Sequence, residues 1–158
     1  MKIPPAYYNV ANMYASGKGV KQDMVLAYSW YEKGAEVGDP QAKSRLGDIL
    51  CASSGPVPQD MKRGFEMRRA AAAMGIPMAL YNVGWHYMEG CGVKQDYFKA
   101  AEHFKKAADK GVAMAMVNLA ILYRDGLGVK RDPAQAKQLL QTVAPHDKYA
   151  AKLLQVMG

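Results

Sequence analysis

Three histidines, His86, His103 and His146, and a recurring Gly-x-Gly loop are the features of this chain whose residue types could do chemistry. The histidines lack metal-ligand spacing. His86 pairs with Glu89 at i, i+3, as many ordinary helices do, and His103 stands in the register of Trp30, where packing is the expected role. Each Gly-x-Gly runs into an aspartate, whose charge would repel a phosphate. Neither a Ser-x-x-Lys nor a Gly-x-Ser-x-Gly arrangement occurs. The residues therefore predict no catalytic group, no cofactor and no metal site.

What positions these residues is a repeat. Gly17-Lys-Gly19-Val20-Lys-Gln-Asp23, Ser53-Ser-Gly55-Pro-Val-Pro-Gln-Asp60, Gly90-Cys-Gly92-Val93-Lys-Gln-Asp96 and Gly126-Leu-Gly128-Val129-Lys-Arg-Asp132 are variants of one loop. Their closing aspartates lie 37, 36 and 36 residues apart, a period that marks a solenoid or array. Upstream, Ala6, Ala42, Ala79 and Ala115 precede by four the apolar Val10, Leu46, Val83 and Leu119. Small residues (Ala11, Gly47, Gly84, Ala120) follow, and then, three later, Tyr14, Leu50, Tyr87 and Tyr123. That spacing draws one stripe along a helix. Downstream, Ala27, Gly64, Ala100 and Ala136 lead into Trp30-Tyr31, Met67-Arg68, His103-Phe104 and Leu139-Leu140, then Ala35, Ala72, Ala108 and Ala144, a second amphipathic helix.

Glycine ends the first helix at Gly17, Gly90 and Gly126, and aspartate caps the second at Asp23, Asp60, Asp96 and Asp132. The second helix stops at Gly38, Gly75 and Gly111, with Asp147 in that place in the fourth copy. Alanine and glycine at the contact positions let backbones approach, while Tyr87 and Tyr123 are expected largely buried in the wedge between hairpins. The pattern predicts an all-α chain, a right-handed α-solenoid (superhelix) of four helix-turn-helix repeats over about 4–39, 40–76, 77–112 and 113–147. A C-terminal capping helix is expected over 148–157, the whole 1–158 forming a single repeat domain.

The run from Ala79 to Gly111, with its Gly-x-Gly-Val-x-x-Asp loop followed by Lys-Ala-x-x-x-Phe-x-Lys-Ala-Ala-x-x-Gly, resembles the Sel-1-like repeat, a relative of the tetratricopeptide repeat with a slightly longer inter-helix loop. The resemblance covers about 6 to 144. The second copy departs most, with Ser53 for the first loop glycine, an extra residue and prolines at 56 and 58. Some members carry a disulfide within each repeat. Here Cys51 corresponds to Ala15 and Cys91 to Lys18 one repeat on. Helices stacked about 8–10 Å apart exceed the roughly 7 Å that a disulfide bridges, so two thiols are expected.

A chain that is 50% hydrophobic and 22% charged has the composition of a folded globular domain, and no run of about 18 apolar residues could cross a bilayer. The Met1-Lys-Ile-Pro-Pro start lacks a signal peptide's apolar stretch. The expected location is cytoplasmic if the chain is complete, and periplasmic or secreted if a signal was removed. The net charge of +7 favours acidic partners. Lys21, Lys94, Lys130 and Arg131 recur beside the loop aspartates, yet Glu32, Glu66, Glu89 and Glu102 interleave with the basic positions and no nucleic-acid motif accompanies them. A solvated face is the main reading, without nucleic-acid binding or membrane insertion.

The resemblance implies that the first helices line a concave groove. The candidate binding residues off their core stripe are then Tyr8, Asn9, Asn12, Arg45, Asp48, Tyr81, Asn82, Trp85, Asn118 and Ile121. Asn9, Asn82 and Asn118 are equivalent by register and could equally bond the next hairpin. Trp85, whose equivalents are Asn12, Asp48 and Ile121, is expected exposed as a partner anchor, with packing between repeats as the alternative. Family members resemble adaptors, often bacterial, so the expected function is a non-enzymatic protein–protein interaction scaffold taking a protein or peptide, acidic if charge selects it. The alternatives are a toxin-neutralising immunity protein and a small-ligand or β-lactam-binding, hydrolase-like relative.

Overall fold

The computed structural model describes residues 5–158; the start of the first repeat at residue 4 and the opening Met-Lys-Ile-Pro lie outside them. Among the described residues there are nine helices and no strand: α1 (Pro5–Ser16), α2 (Met24–Glu36), α3 (Pro40–Cys51), α4 (Met61–Ala73), α5 (Pro77–Glu89), α6 (Tyr97–Asp109), α7 (Ala113–Asp125), α8 (Pro133–Val143) and α9 (Lys148–Val156). This is the all-helical repeat fold that the recurring stripe and caps predict. The chain divides into two compact units, meeting between Ala79 and Leu80 inside α5.

One set of hydrogen bonds builds all four loops. The backbone N–H groups of Asp23, Asp60, Asp96 and Asp132 donate to the carbonyls of Tyr14, Leu50, Tyr87 and Tyr123 at 2.8–2.9 Å, turning the chain back along the helix it has just left. Each aspartate side chain then accepts from the N–H three residues on, those of Leu26, Arg63, Lys99 and Gln135, at 2.9–3.0 Å. Such a cap contributes about 1 kcal/mol. The residue before each aspartate answers the other helix end. Gln22 Nε2, Gln59 Nε2, Gln95 Nε2 and Arg131 Nε donate to the carbonyls of Ala15, Cys51, Met88 and Arg124, groups with no partner inside their own helix. At Gly126 the backbone turns left-handed, φ 69°, which closes α7 and would strain any residue with a Cβ. The second copy solves the turn differently: Ala52, in extended conformation, caps α3, and the extra residue is taken up before Gln59 and Asp60 restore the shared bonds.

In the first unit α1, α2, α3 and α4 pack in chain order around Ala11, Ala27, Tyr31, Ala42, Leu46 and Leu50. Asp39 caps α3 by accepting from Gln41 and Ala42 N–H, and Pro40 occupies the first helical position where its missing N–H costs nothing. Helices α3 and α4 cross at Gly47 and Gly64; a Cβ on Gly47 would stand 3.1 Å from the Gly64 carbonyl oxygen. The second unit packs α6 on α7, α7 on α8 and α8 on α9, with Val117, Ala120, Ala136, Leu140, Val143 and Ala150 as one core cluster. Asp147 does not end α8. It caps α9 by accepting from the Ala150 N–H at 2.9 Å, which makes it the counterpart of Asp39, and α8 has already closed at Ala144.

The wedge tyrosines are less deeply buried than the leucine in their register. Tyr87 and Tyr123 are half-buried, whereas Leu50 in the same register is fully buried. The Tyr87 ring lies 5.7 Å from His103 and beneath the Lys99 ammonium. The tyrosine rings fill the edge of the wedge and leave its centre to alanine and leucine.

Candidate functional site

Helices α1 and α3 lie in one unit, and the four-residue step from Tyr8 to Asn12 and the three-residue step from Arg45 to Asp48 each put two side chains on one helical face. These four candidates come together. They line a cleft of about 680 Å³ with Tyr31 of α2 and, nearer the loop, Met13, Met24 and Ile49. Tyr31 is the buried support: its hydroxyl donates to Asn12 Oδ1 at 2.6 Å and its ring lies 6.1 Å from Tyr8. Burial raises the Tyr31 pKa above the usual phenol value, with the Arg45 charge opposing, so the hydroxyl keeps the proton that it donates.

Arg45 and Asp48 are wired unequally. Asp48 Oδ1 receives Nε and Nη2 of Arg68 at 3.2 and 3.0 Å, a forked contact from a side chain that is only 12% exposed. Arg45 Nη1 stands farther off, 3.7 Å from Asp48 Oδ2. The neighbouring Tyr8 hydroxyl, against the opposing effect of burial, raises the Arg45 pKa above the ordinary arginine value. The cleft thus holds a carboxylate already engaged by one arginine, together with the cations of Arg45 and Lys18. It offers binding chemistry, since hydrogen-bond donors and apolar surface line it and no nucleophile–base pair does. Among the described residues no group of three or more His, Cys, Asp and Glu side chains could hold a metal ion.

The remaining candidates are scattered. Asn9 is exposed, while its register equivalents Asn82 and Asn118 are half-buried. Tyr81 is half-buried with its ring 5.8 Å from Phe104, and Ile121 packs on the core cluster of Val117, Ala120 and Leu140. Trp85 is half-buried rather than exposed, because its ring sits edge-on to His86 at 5.5 Å. The loop-edge cations Lys21, Lys94, Lys130 and Arg131 are exposed.

Three residues escaped the sequence reading. Tyr31 and Arg68 share a register with Phe104 and Leu140; an arginine on a core stripe must find a carboxylate, which was the available signal for Asp48. His86 is completely buried, in the register of Met13, Ile49 and Leu122, and its Nδ1 pairs with the Cys91 carbonyl at 2.6 Å, tying helix to loop. Its apolar equivalents, more than its spacing from Glu89, were the clue. Cys51 and Cys91 are both thiols.

Helical hairpins joined by one recurring capped loop define a helical-repeat protein. Comparison with known families matches the Sel1 repeat four times, over residues 4–39, 40–76, 77–112 and 113–142, and the chain belongs to the Sel1 repeat family. Among solved structures it is similar to c5321, a protective antigen present in uropathogenic Escherichia coli strains that displays an SLR fold. Identity is 35% and the TM-score 0.91, over 98% of this chain and 33% of that one. It is also similar to a Sel1 repeat protein from Oxalobacter formigenes, at 29% identity and a TM-score of 0.87, over 96% of this chain and 62% of that one. The immunity protein Pa5087 from Pseudomonas aeruginosa, 24% identical with a TM-score of 0.59 over 94% of this chain and 55% of that one, shares the fold. The chain thus spans about a third of c5321 and less than two-thirds of the Oxalobacter protein. No curated protein matches the chain. No helix among the described residues is long and apolar enough to cross a membrane.

Proposed function

We propose that the chain is a non-enzymatic interaction scaffold that holds a partner protein or peptide on the exposed surface of its first helices. Sel1 repeats mediate protein–protein interaction. The observation that carries the reading here is the α1–α3 cleft, where Tyr8, Asn12, Arg45 and Asp48 converge over a braced floor without catalytic geometry. The +7 charge favours an acidic partner, and the exposed Lys94 and Lys130 would steer its approach. In the second unit Tyr81 and Trp85 are the candidate anchors.

The test is affinity capture with the whole chain, followed by binding measurements on the purified partner. Arg45→Gln with Tyr8→Ala is expected to weaken the complex while the helical circular dichroism stays unchanged. Charge reversal at Lys94 and Lys130 is expected to change mainly the association rate and its salt dependence. A complex insensitive to the cleft pair but lost on edge reversal would move the interface to the loops. Substrate turnover by the purified chain alone would end the scaffold reading. One tight cognate complex, rather than several weaker ones, would mark the immunity-protein form of the same function.

A further inference from the structure

Resting on the scaffold reading, we propose that the α1–α3 cleft seats an extended acidic–apolar segment of the partner. The aspartate or glutamate side chain of that segment meets Arg45 and Asn12, and an apolar side chain two residues along fills the end formed by Met13, Met24 and Ile49.

The donors decide the charged end. Tyr31 spends its proton on Asn12 Oδ1, so the two N–H bonds of the Asn12 amide belong to the opposite side of that group. Asp48 is forked by Arg68 at 3.0–3.2 Å and pairs with Arg45 only at 3.7 Å, beyond hydrogen-bond length, so one carboxylate is shared between two guanidinium groups. Arg45 has five donors and its side chain is 57% exposed. With Arg68, Arg45 and Lys18 against Asp48, the ionised groups in and under the cleft sum to a positive charge, and a carboxylate answers both that charge and the planar donors.

The loop end has the opposite character. Met13 is exposed, Met24 and Ile49 are half-buried, and two flexible thioethers beside a branched aliphatic make an adaptable apolar socket. Spacing links the ends. Ile49 lies one helical turn beyond Arg45, about 6 Å at 1.5 Å per residue. In an extended chain, residues i and i+2 project to the same side about 6.6 Å apart. An acidic residue and an apolar residue separated by one position therefore reach both ends together, and the nine-residue stretch of α1 from Tyr8 to Ser16, about 12 Å long, accommodates three to four extended residues.

Backbone amide resonances of the labelled whole chain would be followed during titration with Ac-Glu-Gly-Leu-NH2, Ac-Gln-Gly-Leu-NH2, Ac-Glu-Gly-Gly-NH2 and the free acid Gly-Gly-Leu. The blocked Glu-Gly-Leu peptide is expected to shift resonances around Asn12, Arg45 and Ile49. The Gln peptide, and Arg45→Gln protein with the Glu peptide, should bind about tenfold more weakly, the loss of one charge-assisted hydrogen-bonded contact. Ac-Glu-Gly-Gly-NH2 should lose the shifts at Ile49. Equal binding of the Glu and Gln peptides, or no shift at peptide concentrations on the order of 10 mM, overturns the proposal. Tighter binding of the free acid than of the blocked peptide overturns it in favour of a chain terminus. A captured partner that still depends on Tyr8 and Arg45 while these peptides fail would leave the scaffold intact and sink only this motif.

Discussion

Replacing Gly84 by alanine sets two known effects against each other, and the packing of α5 on α6 decides the sign. Glycine inside a helix costs about 1 kcal/mol relative to alanine, so propensity alone makes Gly84→Ala stabilising. A Cβ at this position would stand 2.7 Å from both Cδ1 and Cε1 of Phe104 and 3.2 Å from Cγ, where carbon pairs settle at about 3.5–4.0 Å. Phe104 is completely buried and flanked by Tyr81, so its ring has nowhere to swing. Forcing an extra methyl into such a core costs about 1–3 kcal/mol, which exceeds the propensity gain. The expected net result is a loss of about 1 kcal/mol, or a fall in melting temperature of about 2–4 °C for a chain of this size. Removing the ring should reverse it: in a Phe104→Leu background, Gly84→Ala is expected to stabilise by up to about 1 kcal/mol, a coupling of about 2 kcal/mol between the sites. Urea denaturation of the four proteins, with unchanged slopes, measures this cycle. A single Gly84→Ala protein more stable than its parent by the full propensity difference would refute the close approach of the two helices.

Two further outcomes follow from burial and charge. Tyr87→Ala and Tyr123→Ala, both at half-buried rings, are expected to cost about 1–3 kcal/mol, less than the roughly 3–5 kcal/mol for Phe104→Ala; denaturation midpoints in the opposite order would put the tyrosines back in the core. Burial alone would raise the Glu32 carboxyl, but the Tyr28 hydroxyl at 2.6 Å and Arg63 Nη2 at 2.7 Å outweigh it and hold its pKa below 4.5. A carboxylate depressed in the folded state stabilises above its unfolded pKa and loses that contribution as pH falls through the folded one. Parent protein should therefore exceed Glu32→Gln by about 0.2–1 kcal/mol near pH 7 and converge with it on acidification below 4.5, whereas a gap that widens in acid would contradict the pairing.

The stripe, the loop period and the aspartate caps were all legible because each repeats, and repetition turns a weak local signal into a strong one. What was missed occurs at single positions or hides behind a more familiar role. The Gln22, Gln59, Gln95 and Arg131 side chains close the first helices, but among them only Arg131 drew notice, as part of a charged edge. Asp147 read as a stop because the fourth copy lacks the glycine of its predecessors, although its true counterpart, Asp39, was in view. His86 and Arg68 each put a polar side chain where other copies hold an apolar one, and their meaning rests on a partner, the Cys91 carbonyl or Asp48, that only the folded chain brings near.

In each copy the first and second helices meet through one small residue and one larger one. Position by position, the small contact residue matches its neighbour on the second helix: Ala11 shares a core cluster with Tyr31, Gly47 meets Arg68, Gly84 meets Phe104, and Ala120 shares a cluster with Leu140. Arg68 and Phe104 take glycine opposite them, Tyr31 and Leu140 alanine. Hairpin stability therefore resides in these pairs and in the capped loops. Residues one step off the stripe, Asn12, Asp48, Trp85 and Ile121, differ in charge, size and polarity while the helices that carry them stay alike. Under the proposed scaffold function a change of partner would act through these four positions, and in the first unit Asn12 and Asp48 line a braced, cationic cleft.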